Sequence, residues 1–353
     1  MTDTITKRIR MRQGDSATAK ARNEVLRQGE AFWETDTGDI KVGDGETHYN
    51  NLLGIVSESK IAQEIANGTY MGQNLAVKFA AEINAAPYNG DVVDWLHARV
   101  QAGNFKGIYP FDYVYFHTNA GTVDGKSIPA KDRKFIIAGI NLYKGTGESE
   151  ITQNHLTMFA LSDENHTWND VNNNNGSGYS EHPWIASKLY AVLNGVNNAS
   201  TNKVGACGFN AANAGYLQLF PAKIQNYMLN QQVHMGKRYS TSAALTDDNS
   251  QAWVQRGKLF APSEIEAYGC AVHAYKISGA GNSEQYGPWC HWPIFRNAGN
   301  TGRLIYANRA AWWLCSVPFG LSTFACVVHG GGVANCTDTS STWLRAPLCF
   351  HFA

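Results

Sequence analysis

Residues 312–347 read WWLCSVPFGLSTFACVVHGGGVANCTDTSSTWLRAP. Between positions 315 and 342 this stretch contains no Lys, Glu, Gln, Met or Trp, although all five residue types occur elsewhere in the chain. These are the residues that an Asn codon ending in cytosine cannot become when its adenines are replaced at random. The composition therefore indicates a surface segment diversified at its codons. A plain Gly/Ser/Thr-rich loop is the alternative that composition leaves open.

The variable segment, taken as residues 312–345, divides into displayed residues and a supporting frame. The side chains expected to be displayed to a binding partner are Ser316, Val317, Phe319, Leu321, Val328, His329, Gly330, Gly332, Asn335, Thr337, Asp338, Ser340 and Thr342. The frame expected to support them consists of Trp312, Trp313, Leu314, Trp343, Arg345 and Pro347. Because the displayed set is short and carries few charges, each contact should be shallow and each surface should bind modestly.

Three earlier segments, at residues 111–114, 135–141 and 258–264, precede this stretch in order. Together with the closing pair at 312–314 and 344–347, they resemble an uncharacterised domain of phage and prophage fibre proteins. That domain is related to the C-type-lectin and formylglycine-generating-enzyme fold, and the resemblance spans roughly residues 90–353. Members of this family often carry an Asn-rich string between the two closing landmarks. Here only Asn335 remains, which is what diversification by a retroelement would leave.

Residues 29–54 read GEAFWETDTGDIKVGDGETHYNNLLG and predict a small β-hairpin module. Asp36-Thr37-Gly38 and Asp44-Gly45 are strong turn signals between runs of alternating character. A unit of this size buries too little surface to be stable alone, so it should pack on copies of itself. A trimer is the expected assembly.

The same region carries a second resemblance. Gly29-Glu30, the run from Glu34 to Gly38, Lys41-x-Gly43-Asp44-Gly45 and Leu52 resemble the N-terminal module of phage tail-fibre and receptor-binding proteins. The region is similar to the start of the major tropism determinant family. The resemblance implies an intertwined three-chain β-prism at the virion-proximal end of a fibre.

Between these regions the sequence becomes helical in character. Ile61 and Ile65, and then Leu75, Phe79 and Ile83, recur at i, i+4 spacing. Glycines at 68 and 72 interrupt the pattern, so two short helices or a helical linker are both compatible with it. After Pro87 the chain is rich in aromatic residues, Asn and Gly, with short apolar strands. The predicted class is α+β, with a β-prism-type module at 1–55, a helical linker at 56–88 and a C-type-lectin-like domain at 89–353.

Charge and apolar content exclude several classes of partner. Lys plus Arg and Asp plus Glu are 29 each, so the formal charge is zero. The absence of basic runs argues against binding to nucleic acid or to an anionic membrane. No stretch approaches the roughly 20 apolar residues of a membrane span, and the first residues contain no signal-peptide core. We therefore expect that the protein is not inserted into a membrane. We also expect that it is synthesised in a bacterial host cytoplasm.

Metal and cofactor motifs are weak throughout. The 7 cysteines are an odd number without zinc spacing, so most should be free thiols. Trp168-Asn169-Asp170 matches a calcium-lectin tripeptide but has no partner motif, and a hard cation needs six or more converging oxygens. Glycines 330–332 lack the Lys-Ser/Thr of a phosphate loop. No metal, cofactor or catalytic residue is expected.

Two histidines each have a non-functional interpretation beside a functional one. His329, with Cys326 and Cys336 near it in sequence, could suggest a Cys-His nucleophile or a soft-metal site, but random codons would place such neighbours by chance. His291 lies in the run Trp289-Cys290-His291-Trp292-Pro293, which reads as a buried packing strip.

The resemblances imply a phage receptor-binding protein at a tail-fibre tip, located in the virion. Its partners would be two more copies of the chain, a host cell-surface receptor of protein or glycan, and other virion tail proteins. One alternative is a phage depolymerase or glycan hydrolase, which needs two carboxylates about 5 to 10 Å apart. Asp163-Glu164 and Glu148 with Glu150 are the close acidic groupings in the middle of the domain. A structural decoration protein of the virion is the third possibility.

Overall fold

The computed structural model describes the chain at residues 11–52, 54–67, 69–146, 151–170, 183–195, 214–235, 237–238, 245–246, 253–274, 289–296, 310–318 and 323–353. These residues form two compact units. The first comprises the described residues up to Tyr70 together with Phe79–Asn89. The second comprises Met71–Lys78 and the described residues from Gly90 to Ala353. Helices and sheets are both present, so the predicted α+β class is confirmed.

The first unit contains a three-stranded sheet in the order β1-β2-β3. Its strands are β1 (Arg12–Gly14), β2 (Ala31–Glu34) and β3 (Ile40–Val42). β1 runs parallel to β2, and β2 and β3 form the predicted antiparallel hairpin. Helix α1 (Ser16–Arg22) follows β1, and a 3-10 helix covers Tyr49–Asn51.

Glycine turns shape this unit as the sequence predicts. Gly38 lies in the connection from β2 to β3 with φ 75°, and Gly45 follows β3 with φ 86°. Glycine adopts positive φ without the steric cost that a Cβ brings. The Asp44 carboxylate accepts hydrogen bonds from the N–H groups of Glu46 (3.0 Å) and Thr47 (2.7 Å). Both turns are therefore local consequences of the sequence.

The core of the first unit is small. Its buried apolar cluster consists of Ala19, Leu26, Phe32, Tyr49 and Leu52. The Tyr49 hydroxyl donates to Glu34 Oε1 at 2.7 Å, and Lys41 Nζ donates to the Tyr49 carbonyl at 2.9 Å. The polar groups of Tyr49 and Lys41 that reach this cluster are thus hydrogen-bonded.

The predicted linker at 56–88 contains three helices. These are α2 (Ile55–Ala66), α3 (Leu75–Lys78) and α4 (Ala80–Asn84). α3 belongs to the second unit, whereas α2 and α4 belong to the first. The unit boundaries therefore differ from a simple division at residues 55 and 88. Of the two predicted helix breakers, Gly72 has φ 77°, and Gly68 lies outside the described residues.

The second unit holds the remaining strands and helices. Its strands are β4 (Tyr113–Thr118), β5 (Gly121–Val123), β6 (Lys126–Ile128), β7 (Lys131–Ile140), β8 (Leu156–Phe159), β9 (Leu161–Asn165), β10 (Met228–Leu229), β11 (Gln232–His234), β12 (Lys237–Arg238), β13 (Leu245–Thr246), β14 (Trp253–Gln255), β15 (Trp312–Trp313), β16 (Phe324–Val328), β17 (Ala334–Asp338), β18 (Arg345–Pro347) and β19 (Phe350–Phe352). Its further helices are α5 (Val92–Gln101), α6 (Lys188–Asn194), α7 (Ala222–Asn226), α8 (Glu264–Tyr268) and α9 (Pro293–Arg296), with a 3-10 helix at Tyr216–Leu219. Among the described residues, no helix combines the length and apolarity needed to cross a membrane.

Two five-stranded sheets organise this unit. One has the order β10-β19-β8-β7-β4 and is antiparallel throughout. The other has the order β17-β16-β15-β18-β9, in which β15 and β18 are parallel. β8 and β9 are consecutive in the chain, as are β18 and β19, and the Leu348 N–H donates to the Ala160 carbonyl at 2.8 Å where both connections pass. The two sheets are therefore joined at this edge.

Aromatic side chains fill the cores of both sheets. In the antiparallel sheet Phe135 packs against Phe116 and Phe350, with ring centroids 5.5 and 5.1 Å apart. Phe159 of β8 packs against Trp312 of the other sheet at 5.4 Å and against Phe295 of α9 at 5.5 Å. Aromatic packing of this kind compensates for short regular elements.

A buried ion pair lies beside these aromatic residues. The Arg256 guanidinium donates from Nη1 to Glu266 Oε1 at 2.8 Å and from Nη2 to Glu266 Oε2, and both side chains are fully buried. Glu266 also accepts from the Tyr143 hydroxyl and, at 2.6 Å, from the Ser263 N–H at the start of α8. The guanidinium carbon lies 3.9 Å from the Phe260 ring centroid. This network joins β14, α8 and the chain after β7.

Two buried histidines predict a loss of stability in mild acid. His351 Nδ1 lies 3.1 Å from Thr157 Oγ1 and its Nε2 lies 3.0 Å from Gln231 Oε1. Burial lowers the pKa of His351 well below its usual value and lowers that of His155 to about 4. Below about pH 6.5 the unfolded chain binds protons that the folded protein does not. Stability present above pH 6.5 is therefore lost as the pH falls, by about 2 kcal/mol per histidine at pH 5.

Urea unfolding at pH 7 and pH 5 measures this effect. His351→Gln should reduce the difference between the two midpoints, because it removes one of the groups that titrates only in the unfolded chain. Val77, whose side chain is 72% exposed and carries no titratable group, provides the control, and Val77→Ala should leave the difference unchanged. Equal midpoints of the native protein at the two pH values would contradict the prediction.

Candidate binding surface

The Trp-Trp-Leu landmark at 312–314 is buried, and its strand β15 pairs with the strand β16 of the predicted variable segment. Trp312, Trp313 and Leu314 are fully buried. The Trp313 indole Nε1 donates to the His166 carbonyl at 2.6 Å, and its ring packs against Trp168 at 6.0 Å. These contacts hold β15 in the middle of its sheet.

The second landmark lies beside the first. β15 and β18 are parallel neighbours with Trp312 opposite Arg345, and the Arg345 N–H donates to the Ala311 carbonyl at 3.1 Å. Pro347 is buried and lies opposite Leu161 of β9. The segment between the landmarks leaves the sheet centre after β15, forms β16 and β17, and returns as β18. Residues far apart in sequence thus form one continuous frame.

The landmark at 258–264 also contacts this frame. The Cys315 N–H donates to the Pro262 carbonyl at 2.8 Å, and Ser316 Oγ accepts from the Glu264 N–H at 2.8 Å. Phe260 and Cys349 form an antiparallel bridge. The landmark at 258–264 therefore meets the closing landmarks around β15 and the start of β19.

The variable segment itself forms a hairpin at the edge of the sheet. β16 and β17 pair antiparallel, with Phe324 opposite Asp338 and Val328 opposite Ala334. The turn at residues 329–333 is closed by hydrogen bonds from the His329 N–H to the Val333 carbonyl (3.0 Å) and from the Gly332 N–H to the His329 carbonyl (2.7 Å). β17 is the outer strand, so this hairpin presents one edge and one turn to the surroundings.

Most of the predicted display residues in the second half of the segment reach the surface. The exposed ones are His329, Asn335, Asp338 and Thr342. Gly330, Thr337 and Ser340 are half-buried, and Thr337 Oγ1 lies 3.1 Å from Ser341 Oγ. These residues lie on the turn, on β17 and on the connection from β17 to β18. Phe319 and Leu321 lie outside the described residues.

Four predicted display residues are buried instead, which corrects the sequence interpretation. Ser316, Val317 and Val328 have no exposed surface, because the chain before β16 and β16 itself are covered on both faces. Ser316 is engaged through Oγ with α8 and through its carbonyl with the Cys326 N–H (2.9 Å). Gly332 is buried in the turn with φ 77°, a conformation that favours glycine over every other residue. These four residues support the hairpin and do not present side chains to a partner.

Trp343 requires the opposite correction. It was predicted to belong to the supporting frame, but its side chain is 46% exposed. Its ring lies edge-on to the His329 ring, with centroids 5.8 Å apart. Val333, which the sequence analysis did not single out, is 51% exposed on the same turn. His329, Val333 and Trp343 therefore form the aromatic and apolar tip of the hairpin, which we call the hairpin tip.

The calcium-like tripeptide binds a lysine of the protein itself. Trp168 is fully buried, and Asn169 Oδ1 accepts from the Lys188 N–H at 3.2 Å. The Lys188 ammonium pairs with Asp170 and, at 2.8 Å, with Asp124. An ammonium group thus occupies the position between carboxylates that a cation would need. Within the described residues, no group of three or more His, Cys, Asp and Glu side chains is arranged to hold a metal ion.

The described acidic pair is not arranged as a glycosidase acid. Asp163 Oδ2 lies 2.6 Å from Arg133 Nη1 and 2.5 Å from Lys131 Nζ. Burial acts to raise the pKa of Asp163, but these two cations hold that pKa below its usual value. This lowered pKa argues against Asp163 as the general acid of a glycosidase. Glu148 and Glu150 lie outside the described residues.

The strip at residues 289–293 is buried only at Trp292, whereas the prediction had the whole strip buried; its other four residues are half-buried. Trp292 is fully buried, its N–H donates to the Glu266 carbonyl at 3.0 Å and its indole Nε1 donates to the Tyr143 hydroxyl at 2.9 Å. His291 is half-buried, and its carbonyl accepts from Arg296 Nε at 2.7 Å. The strip is a packing element of the network around Glu266.

Comparison with known proteins adds no assignment to this geometry. No protein-family model matches the chain, and neither a curated protein nor a solved structure matches it.

Proposed function

We propose that the protein is a receptor-binding protein of a phage tail fibre and that the β16–β17 hairpin contacts the host cell surface. One observation carries the proposal. The segment whose composition indicates codon-level diversification forms an edge hairpin with an exposed tip. This hairpin pairs in the same sheet with β15, whose Trp312 and Trp313 are fully buried. Surface positions tolerate substitution at small cost, usually within about 0.5 kcal/mol. A rigid frame with a tolerant edge is what a variable binding surface requires.

The fold supports a lectin-like receptor-binding domain as part of this proposal. The two joined five-stranded sheets and the short helices of the described residues support the aromatic-rich α+β domain that the composition after Pro87 predicts. The landmark at 258–264 and the two closing landmarks meet at the frame. The receptor would be a protein or a glycan on the host surface.

Self-association through the first unit is the second part of the proposal. Phe32 and Glu34 of β2 face the core, so Trp33 faces the other side of the sheet together with Ile40 and Val42 across the hairpin. Trp33 is 39% exposed and Val42 is 38% exposed. A small unit with a modest core and an apolar outer face gains stability by burying that face against further copies. A β-prism-type homotrimer, attached through this unit to other tail proteins of the virion, would do so.

Assembly would also compensate for weak individual contacts. Apart from the hairpin tip, the exposed display residues are short, with one carboxylate at Asp338 among Asn335 and Thr342. Each copy should therefore bind modestly. Three linked copies raise the effective affinity by orders of magnitude without any new contact, provided that they engage the cell surface together.

The nucleotide sequence of the locus tests the proposal. We expect a near-copy of the codons from Trp312 onward, close to a reverse-transcriptase gene, with its mismatches concentrated at adenines of the copy. The matched control is the stretch of equal length that encodes β7 and β8, for which no such copy is expected. If no near-copy of the 312–345 codons exists, active diversification is refuted. The protein would then be an adhesin with an invariant binding surface or a structural decoration protein of the virion.

A further inference from the structure

The hairpin places two thiols directly opposite each other. Cys326 of β16 and Cys336 of β17 are register partners, and their Sγ atoms lie 3.7 Å apart. Both side chains are thiols and not members of a disulfide. Their juxtaposition depends on the strand register, because the two residues are separated in sequence by the whole turn.

The backbone at this pair already has the separation that a disulfide needs. The Cys326 N–H donates to the Ser316 carbonyl, and the Cys326 carbonyl accepts from the Leu314 N–H, both at 2.9 Å. Its peptide groups therefore point away from β17, which makes Cys326 and Cys336 a non-hydrogen-bonded antiparallel pair. Such pairs have Cα atoms about 4.5 Å apart. Disulfides form over Cα separations of about 4.4–6.8 Å, so only side-chain rotation is required.

The two thiols differ in accessibility. Cys326 lies on the inner strand β16 and is fully buried, whereas Cys336 lies on the outer strand β17 and is half-buried. A small molecule from solution therefore reaches Cys336 first. This order of attack matches thiol–disulfide exchange, in which an accessible thiol reacts with the reagent and a neighbouring thiol resolves the intermediate.

We propose that Cys326 and Cys336 form a reversible disulfide by exchange with a low-molecular-weight disulfide, RSSR. The Cys336 thiol loses its proton, attacks one sulfur of RSSR, and displaces one thiolate RS⁻ to give a mixed disulfide. Cys326 then loses its proton and attacks the Cys336 sulfur, which displaces the second RS⁻. The two thiolates take up the two protons. The protein dithiol is oxidised to a disulfide, and RSSR is reduced to two RSH.

This bond would fix the shape of the hairpin tip. β17 is the outer strand and is paired in the sheet to β16, and the turn at 329–333 lies between the two cysteines. A covalent link between the strands limits how far β17 and the turn can move from the frame. The disulfide itself stands on the geometry alone, whereas its effect on receptor binding rests on the proposed function.

Oxidised glutathione is the probe for the test, applied to the purified full-length protein. Digestion of the treated protein should yield a peptide in which Cys326 is linked to Cys336 and neither of the two cysteines carries glutathione. Cys326→Ser should instead retain a glutathione adduct at Cys336, because nothing resolves the mixed disulfide. Cys270→Ser, which removes an exposed thiol elsewhere, should still form the link. Absence of the linked peptide in the native protein would overturn the proposal.

A second measurement separates the bond from its consequence. The oxidised protein should show slower protease cleavage in the hairpin than the reduced protein, and dithiothreitol should reverse the difference. If the linked peptide forms but the oxidised and reduced proteins are cleaved at identical rates, the proposed rigidification of the hairpin is wrong. Binding of both forms to host cells is then compared. If neither form binds, the proposed function fails, while the linked peptide still decides whether the disulfide forms.

Discussion

Replacing Arg256 by Met is expected to destabilise the second unit by about 3–5 kcal/mol. The substitution leaves the Glu266 carboxylate fully buried without its counter-charge, while two hydrogen bonds from the guanidinium are lost. The ion pair also holds the start of α8, because Glu266 accepts from the Ser263 N–H. Loss of the pair should therefore loosen the segment that contacts Cys315 and Ser316. Urea unfolding of the full-length protein measures the change.

A second substitution shows whether the cost arises from the stranded charge. Arg256→Met combined with Glu266→Gln removes the buried carboxylate but keeps an amide oxygen that can accept from Ser263. This double variant should be more stable than Arg256→Met alone, since neutral polar groups cost less to bury than charges. A single variant within 1 kcal/mol of the native protein, or a double variant less stable than the single one, would show that the pair does not have this role.

Replacing Trp343 by Ala is expected to weaken binding of the purified protein to host cells by about tenfold or more. Large aromatic side chains at the centre of an interface commonly contribute about 2 kcal/mol or more to binding, and about 1.4 kcal/mol corresponds to a factor of ten. Trp343 is the largest side chain of the hairpin tip and is 46% exposed beside His329. Simultaneous engagement of several copies should amplify the loss.

Tyr115 provides the matched control for this prediction. Its side chain is also 46% exposed, but it lies on β4 of the other sheet. Tyr115→Ala should leave cell binding unchanged, and both variants should unfold at nearly the native urea concentration because neither residue belongs to the core. Equal binding by the two variants would exclude the hairpin tip as the contact surface.

Much of the fold could be predicted from the sequence because the sequence signals for these elements are local. The glycine turns near Gly38 and Gly45, and the strand at 134–139 within β7, follow from residue types whose conformational preferences do not depend on distant contacts. The helix at 263–268 likewise begins with a Ser-x-x-Glu capping box. Trp312 and Trp313 were predicted to support the variable segment, and they are buried.

The candidate surface could be predicted only in part. Strand alternation normally separates a buried face from an exposed one, but β16 is covered on both faces, so Val328 is buried where a display residue was expected. Trp343 resembles a core residue by type, yet it follows an exposed turn and remains at the surface. Asn169 and Asp170 match a calcium tripeptide, and only the packing of α6 shows that Lys188 occupies that place.

The class of the fold, the turns, the landmarks and the restricted composition of the 315–342 segment follow from the sequence alone, because each depends on residue types and their near neighbours. Tertiary structure decided which of those residues reach the surface, since burial depends on elements that arrive from distant parts of the chain. It also decided that Cys326 faces Cys336, because strand register fixes which residues oppose each other across a hairpin. Composition can indicate that a surface varies, but only packing shows which side chains a partner can touch.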